Sequence, residues 1–499
     1  MTRPLPLYIR IILLGVTLLC FGLGLISDGF AAKPNVVFIL TDDLGVMDVG
    51  AFNPQTFYET PHLDSLAKDG MRFTAAYTAG NVCSPTRYSI MTGKYPVRGG
   101  ITDWLVGTRA ERYEPAELNR FMPLAETTLG EAFLEAGYRT AYLGKWHLGP
   151  PAEYGPQVQG FEIVRDNGSF SYVHPAIQNF AFPERLSFPG NNPPRVELQT
   201  EQTTQDALLV LEAIKDQPFF LFLGFDQPHS PIAASEEFIE PYREKKERLG
   251  LQTNPALDFA DEEQIFVTEN KRQTRIRQNN EVYAGMIDHT DKCVGRILNK
   301  LDELGIADNT IVLFTTDNGG LTTAEGSPTS NLPYRTGKGW NYEGGLRGPL
   351  IVRFPGKVEA NSVSDLPVIT NDFYPTLLEL CGLPLKPEQH RDGISFAATL
   401  TGKVQMKTHD ALFWHYPHYS NQGGFPSSAI RMGDYKLILR LEDGRMHLYD
   451  LANDVGERND LSASQPERVE TMKNKLLEWY TETEARFLRP KEGRIPWRP

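Results

Sequence analysis

Cysteine is scarce in this chain, with four residues in 499. That number cannot support a disulfide framework. Cations are in deficit: 50 Lys+Arg stand against 63 Asp+Glu, a formal net charge of −13. The deficit argues against a nucleic-acid binder that works by broad phosphate neutralisation. Internal repeats are absent. What remains is 40% hydrophobic, 23% charged and 11% aromatic. This is a globular composition and excludes a disordered, collagenous or coiled-coil protein. The length exceeds one small core and predicts a large domain with an appendage, or two to three domains.

The N-terminus reads as an export signal. Arg3 and Arg10 precede an apolar run from Ile11 to Ile26, and Gly29-Phe30-Ala31-Ala32 offers small residues for cleavage. The run is short for a membrane span, with an uncleaved anchor as the alternative. Residues 1–31 are assigned to the signal, 33–390 to a catalytic domain and 395–499 to a C-terminal subdomain. Export would place the protein in the periplasm or outside the cell. Cleavage leaves Cys83, Cys293 and Cys381, the last two in apolar helical contexts that predict buried free thiols.

Four apolar runs end abruptly in polar residues. Asn35–Leu40 hands over to Thr41-Asp42-Asp43, and Ile311–Thr316 to Asp317-Asn318-Gly319-Gly320. Pro218–Phe225 hands over to Asp226-Gln227-Pro228-His229, and Tyr138–Leu143 to Gly144-Lys145-Trp146-His147. Wholly apolar short runs fit strands covered on both faces, as in a parallel sheet. In open α/β sheets, ligands bind at the carboxyl ends of the strands. The four ends therefore predict one shared site.

Helical spacing appears at Thr60–Ala67, Ala125–Ala136 and Val282–Leu301, whose apolar residues are plain core. Glu237–Asn280 is polar and charged and reads as a solvated helical insertion. From about residue 395 the pattern changes to short antiparallel strands at 411–414, 429–431, 435–439 and 447–449, closed by a helix over 465–485.

Cys83-Ser84-Pro85-Thr86-Arg87 precedes a helix-like stretch closed by Gly93. A thiol at a helix N-terminus near Arg87 is exposed to reaction and has a depressed pKa. A stray buried cysteine and a simple thiolate nucleophile are the alternatives. Neither explains the hard-oxygen ligands at the strand ends.

At this motif the chain resembles the type I sulfatases of the alkaline phosphatase superfamily. CSPTR at 83–87 is similar to their Cys-x-Pro-x-Arg signature, in which the Cys is oxidised to formylglycine. The resemblance runs from Pro34 to about Leu461. It includes TDDLG at 41–45, TPHLDSLAKDGMRF at 60–73, GKWHLG at 144–149, PHSP at 228–231, TTDNGG at 315–320, GKGWNYEGGLRGP from 337 to 349 and LYDLANDVGERNDL at 448–461. It implies an alkaline-phosphatase-like α/β sandwich: a large, mostly parallel or mixed central sheet flanked by helices. A smaller C-terminal α+β unit with a short antiparallel sheet completes it.

The resemblance also implies the site. Asp42, Asp43, Asp317, Asn318 and the modified Cys83 would bind a divalent cation, Ca2+ first and Mg2+ second, through oxygen ligands. Cys83 as formylglycine hydrate would attack sulfur with one hydroxyl and release sulfate through the other. Lys145 and Lys338 would contact the sulfate, and Arg87 would position the modified residue. His147 would take the second hydroxyl's proton, and His229 would serve the leaving oxygen. A formylglycine-generating maturation enzyme is the implied partner, and a sulfated small molecule or saccharide the implied substrate. His415 and His418, in the loop-like Trp414–Tyr419 stretch, are candidates for a sugar subsite, with packing between the two units as the equal alternative. The rival functions are a phosphomonoester or phosphonate-ester hydrolase of the same superfamily, and a sulfoglycan-binding protein without turnover.

Overall fold

The computed structural model describes residues 33–187, 193–262, 272–404 and 408–499. The expected signal segment, 1–31, lies outside the described residues. Nine strands form the main sheet. In chain order they are β1 (Asn35–Thr41), β2 (Met71–Phe73), β3 (Arg139–Gly144), β4 (Ile163–Arg165), β5 (Ser171–Val173), β6 (Phe219–Gly224), β7 (Thr310–Thr316), β8 (Ile351–Arg353) and β9 (Ser362–Ser364). Their order across the sheet is β9-β2-β8-β7-β1-β6-β3-β4-β5. The five central strands β7, β1, β6, β3 and β4 are parallel. β5 and β8 run antiparallel to their inner neighbours, so the sheet is mixed.

The apolar runs follow from double coverage. Along β1, Val36, Phe38 and Leu40 enter one core with Leu129, Phe133, Tyr374 and Leu377. Val37 and Ile39 enter the other with Leu63, Leu66, Val210, Leu211, Met286 and Ile297. The helices on the first face are α2 (Cys83–Thr92), α3 (Leu129–Glu135) and α6 (Phe373–Leu380); on the second they are α1 (Pro61–Lys68), α4 (Arg195–Ile214) and α5 (Glu281–Glu303). Phe38, Phe222 and Tyr142 stack across three adjacent strands at centroid distances of 4.6 and 4.8 Å. Each such stack is worth about 0.5–1.5 kcal/mol beyond its buried area, so the strands bearing the site are locked side by side.

Four antiparallel strands form a second sheet: β10 (Leu412–Tyr416), β11 (Ser427–Met432), β12 (Tyr435–Arg440) and β13 (Met446–Asp450), with α7 (Pro466–Thr483) against it. This sheet is anchored to the rest through charge. Lys436 on β12, fully buried, pairs with Glu343 at 2.9 Å and Glu457 at 3.0 Å. Trp414 adds an indole N–H bond to the Thr78 carbonyl at 2.8 Å.

The polar stretch Glu237–Asn280 is only partly the helical insertion its charge pattern suggests. A helix covers Glu236–Arg248; a four-residue helix and a two-strand ladder of Phe259–Asp261 with Gln273–Arg275 follow. The charged run satisfies a solvated helix for three turns. Gly250 then takes a left-handed φ of +65° and ends it.

Candidate active site

Register brings the chemistry together. Thr41 pairs with Thr316, so Asp42 and Asp317 leave adjacent strands at one level. Leu40 pairs with Gly224 and Gly224 with Gly144, which aligns the segments carrying His229 and Lys145 with the same edge. Gly144 is required there: its φ is +96° and a Cβ would lie 2.0 Å from the Gly224 carbonyl oxygen. Asp43 adopts φ +68°, a region Asp tolerates better than most residues. Its backbone N–H donates to Asp317 Oδ1 at 3.3 Å.

Cys83 occupies the first turn of α2, its Sγ 3.4 Å from Asp42 Oδ1 and 3.7 Å from Lys145 Nζ. One turn on, Arg87 is buried and fully used. It donates to Asp317 Oδ2 at 2.9 Å, to Asp42 Oδ2 at 3.3 Å and to the Lys145 carbonyl at 2.6 Å. Lys145 also pairs with Asp42. Lys338 Nζ lies 2.8 Å from Asp43 Oδ2. The Lys338 segment is packed tightly onto the Asp317–Asn318 turn, since a Cβ on Gly319 would meet the Gly344 carbonyl oxygen at 1.8 Å. His229 Nε2 is 3.8 Å from Asp43 Oδ2, and its Nδ1 bonds the Ser230 carbonyl at 2.7 Å. Ser84 Oγ donates to the His147 carbonyl at 2.9 Å, tying α2 to the segment after β3.

The electrostatics follow from burial among mixed charges. Burial alone would raise Asp42, but Lys145, Arg87 and Lys338 overcome it and hold this carboxyl well below the usual range. Asp317 is pushed up by burial and by the Asp42 charge. His147 is driven well below the ordinary imidazole value by burial and by Lys145 and Arg87, and His229 is lowered by burial and Lys338. Both imidazoles are therefore neutral near pH 7 and able to accept a proton. Burial and Asp42 push the Cys83 thiol up, opposite to the depression expected of a helix N-terminus. Burial, with the carboxylate at 3.4 Å, outweighs the helix dipole, whose effect is at most about 2 kcal/mol.

The residues fit a hard divalent cation. Asp42, Asp43 and Asp317 are at most 1% exposed, and three buried carboxylates this close repel one another without positive charge. Asn318 donates its amide to Asp43 Oδ1 at 2.8 Å, while its Oδ1 is buried with no protein partner among the described residues. An orphaned carbonyl-type oxygen beside carboxylates is the donor set such an ion takes.

Cys83, Lys145, His147, His229 and Lys338 line one pocket of about 300 Å³. His415 and His418 do not reach it, which corrects their assignment to a sugar subsite. The stretch is part strand: β10 runs to Tyr416 with all five of its residues buried, and Pro417–Tyr419 follow as buried irregular chain. His415 is spent on Ser428 Oγ and the Arg486 carbonyl, both at 2.7 Å, and His418 Nε2 on Thr102 Oγ1 at 2.7 Å. The same chain segment meets the pocket farther on, at Asn421 and Gln422. Trp104 and Glu325 also line it. No spacing singles out these four in the sequence; an Asn-Gln-Gly-Gly turn after an aromatic run was the only hint.

The Sulfatase family model matches residues 34–383, and one described as N-sulphoglucosamine sulphohydrolase, C-terminal, matches 336–484. A sulfatase of Formosa agariphila is 32% identical, covering 91% of this chain and 90% of its own. The N-acetylgalactosamine-6-sulfatase of Mus musculus is 31% identical, covering 84% of this chain and 74% of its own. The crystal structure of Ps i-CgsB in complex with k-i-k-neocarrahexaose superposes with a TM-score of 0.69 at 25% identity, over 90% of this chain and 92% of that one. The chain belongs to the sulfatase family, with its alkaline-phosphatase-like fold, and is a sulfuric ester hydrolase.

Proposed function

We propose that this protein removes sulfate from a sulfated carbohydrate after export, using Cys83 converted to formylglycine and a divalent cation, Ca2+ by preference. The observation that carries the reading is the arrangement on the pocket wall. Cys83 lies 3.4 Å from Asp42 and 3.7 Å from Lys145, and Lys338 lies 2.8 Å from Asp43. A tetrahedral oxyanion entering here meets two fixed ammonium groups. The cation, held by Asp42, Asp43, Asp317 and Asn318, would supply Lewis acidity toward sulfate oxygen, and formylglycine would supply two hydroxyls on one carbon.

The protein's own groups do the rest. Arg87 holds Asp42 and Asp317 in place, and Lys145 and Lys338 bind and orient the sulfuryl oxygens. His147, kept neutral, is poised to take a proton at the modified residue, and His229 would serve the leaving oxygen once Nε2 carries a proton, its Nδ1 being held by the Ser230 carbonyl. The carbohydrate reading is supported by the mouse relative, named for N-acetylgalactosamine-6-sulfate, and by the neocarrahexaose bound to Ps i-CgsB. The pocket of about 300 Å³ is at the small end for ligand sites and suits one sugar residue.

Mass spectrometry of the tryptic peptide Phe73–Arg87 tests the modification, with CHO expected in place of CH2SH. Sulfate release from sulfated saccharides tests the substrate. Matching aryl sulfate and aryl phosphate should separate in kcat/KM in favour of the sulfate. Full turnover by protein with unmodified Cys83, or preference for the phosphate ester, overturns the proposal.

A further inference from the structure

Away from the active-site pocket, α4 and α5 place three metal-binding side chains around one point. His289 and Cys293 are four residues apart on α5 and so share a face; Glu201 comes from α4. Cys293 Sγ is 3.6 Å from His289 Nε2 and 3.8 Å from Glu201 Oε2, and His289 Nε2 is 3.6 Å from Glu201 Oε2. Tetrahedral zinc, with bonds of about 2.0–2.3 Å, separates neighbouring donor atoms by roughly 3.3–3.6 Å. The observed triangle needs to contract by only a few tenths of an ångström.

Two further features point to a ligand. His289 Nδ1 is taken by Gln227 Oε1 at 2.6 Å, which turns Nε2 toward Cys293 Sγ and Glu201 Oε2. Metal-bound histidines are held in this way through their second nitrogen. The three residues also form part of the wall of an open pocket of about 740 Å³, so a metal has an entry path and a solvent-facing fourth position. His289 and Cys293 are buried, and Glu201 is partly exposed.

We propose that Glu201, His289 and Cys293 form a second metal site, distinct from the sulfatase centre, that takes Zn2+ or another borderline-soft divalent ion and staples α4 to α5. Thiolate, imidazole and carboxylate donors select such ions, whereas the oxygen-rich set at Asp42, Asp43, Asp317 and Asn318 selects Ca2+ or Mg2+. Binding replaces the Cys293 S–H bond with an S–metal bond and displaces the proton that His289 Nε2 shares with Glu201, both protons passing to solvent. Arg296 competes: its guanidinium lies 2.6 Å from Glu201 Oε2 and is displaced toward solvent when the ion binds. Removing that cation strengthens the site.

The test is Co2+ titration of the full chain with Ca2+ in excess, read by thiolate-to-cobalt charge-transfer absorption. Zinc content after dialysis and the Zn2+-dependent rise in Tm are read alongside. One equivalent is expected, with the band kept in Cys83→Ser and lost in Cys293→Ser and His289→Gln. Glu201→Gln, which alters a partly exposed side chain, covers the event that a buried variant fails to fold, and it should weaken binding at least tenfold. Arg296→Gln should tighten it. The inference is overturned by absence of the band in the parent protein. It is equally overturned by a band that survives Cys293→Ser, or by zinc content indifferent to Glu201→Gln.

Discussion

Burying two histidines as hydrogen-bonded core groups makes the protein acid-sensitive in a way that can be calculated. His415 and His418 are 8% and 2% exposed. Burial drives the first down to about 4, and burial together with the neighbouring His415 drives the second down to about 3. An unfolded chain titrates them near 6.5. A folded pKa below the unfolded one means stability that is present above the unfolded value and lost as pH falls toward the folded one. Between pH 7.5 and pH 5 each histidine therefore withdraws about 2 kcal/mol, and the pair about 4 kcal/mol, by linkage. That is a large part of a typical folding free energy of about 5–15 kcal/mol.

Buried carboxyls oppose this trend. Asp48, Asp103, Asp226 and Asp291 are each raised to about 7, chiefly by burial, so they add stability as pH falls from 7 toward 4. The histidine term must be isolated by comparison. Urea denaturation of the parent and of His415→Gln at pH 7.5 and pH 5 should give a pH-dependent loss about 2 kcal/mol smaller in the variant, whatever the substitution costs at neutral pH. KM for a sulfated saccharide should stay unchanged. Parallel pH dependences in the two proteins would refute the buried, neutral assignment. A raised KM would restore His415 to the substrate pocket.

Lys436→Met should cost about 3–5 kcal/mol of stability, because Glu343 and Glu457 are left as buried carboxylates without their shared cation; the urea midpoint measures it, and adding Glu457→Gln should recover part of the loss. Lys338→Ala should lower kcat on an aryl sulfate by about 10²–10³, the scale of one lost oxyanion partner, in protein whose Cys83 is fully converted. Chelation should abolish turnover and added Ca2+ restore it, and Asn318→Ala should raise the Ca2+ concentration needed for half-recovery; activity indifferent to chelator would remove the metal from the reaction.

The strands that carry the site are legible in the amino-acid sequence because they lie at the centre of the sheet. Val36, Val37, Phe38, Ile39 and Leu40 must all be apolar when both faces are covered. An abrupt Asp-Asp after such a run then marks the carboxyl edge. The strands β2, β4, β5, β8 and β9 are three residues each, too short for any periodic signal. Helix α4 escapes notice for a different reason. Thr200, Gln202, Thr203, Thr204 and Asp206 are among its buried residues, so no clean apolar stripe exists. Its inward polar groups are used locally, as where Gln202 donates to Asp206 at 3.1 Å.

The pocket divides along the same line. The residues proposed to handle sulfate leave the strand edge, open α2 or lie in the 337–349 segment, where close-packed backbone leaves no room for a Cβ at 144 and 319. Trp104, Glu325 and Asn421 reach the pocket from loops. Glu325 is tied there through Ser230 Oγ at 2.7 Å and Gln422 Nε2 at 2.6 Å. Loop residues can be exchanged without disturbing the sheet. Chemistry is thus written in the part of the chain that the fold constrains and that composition reveals. On the proposed function, the group bearing the sulfate would be met by loop residues whose types the sheet does not dictate, which is why sequence spacing reads the reaction and leaves the sugar unread.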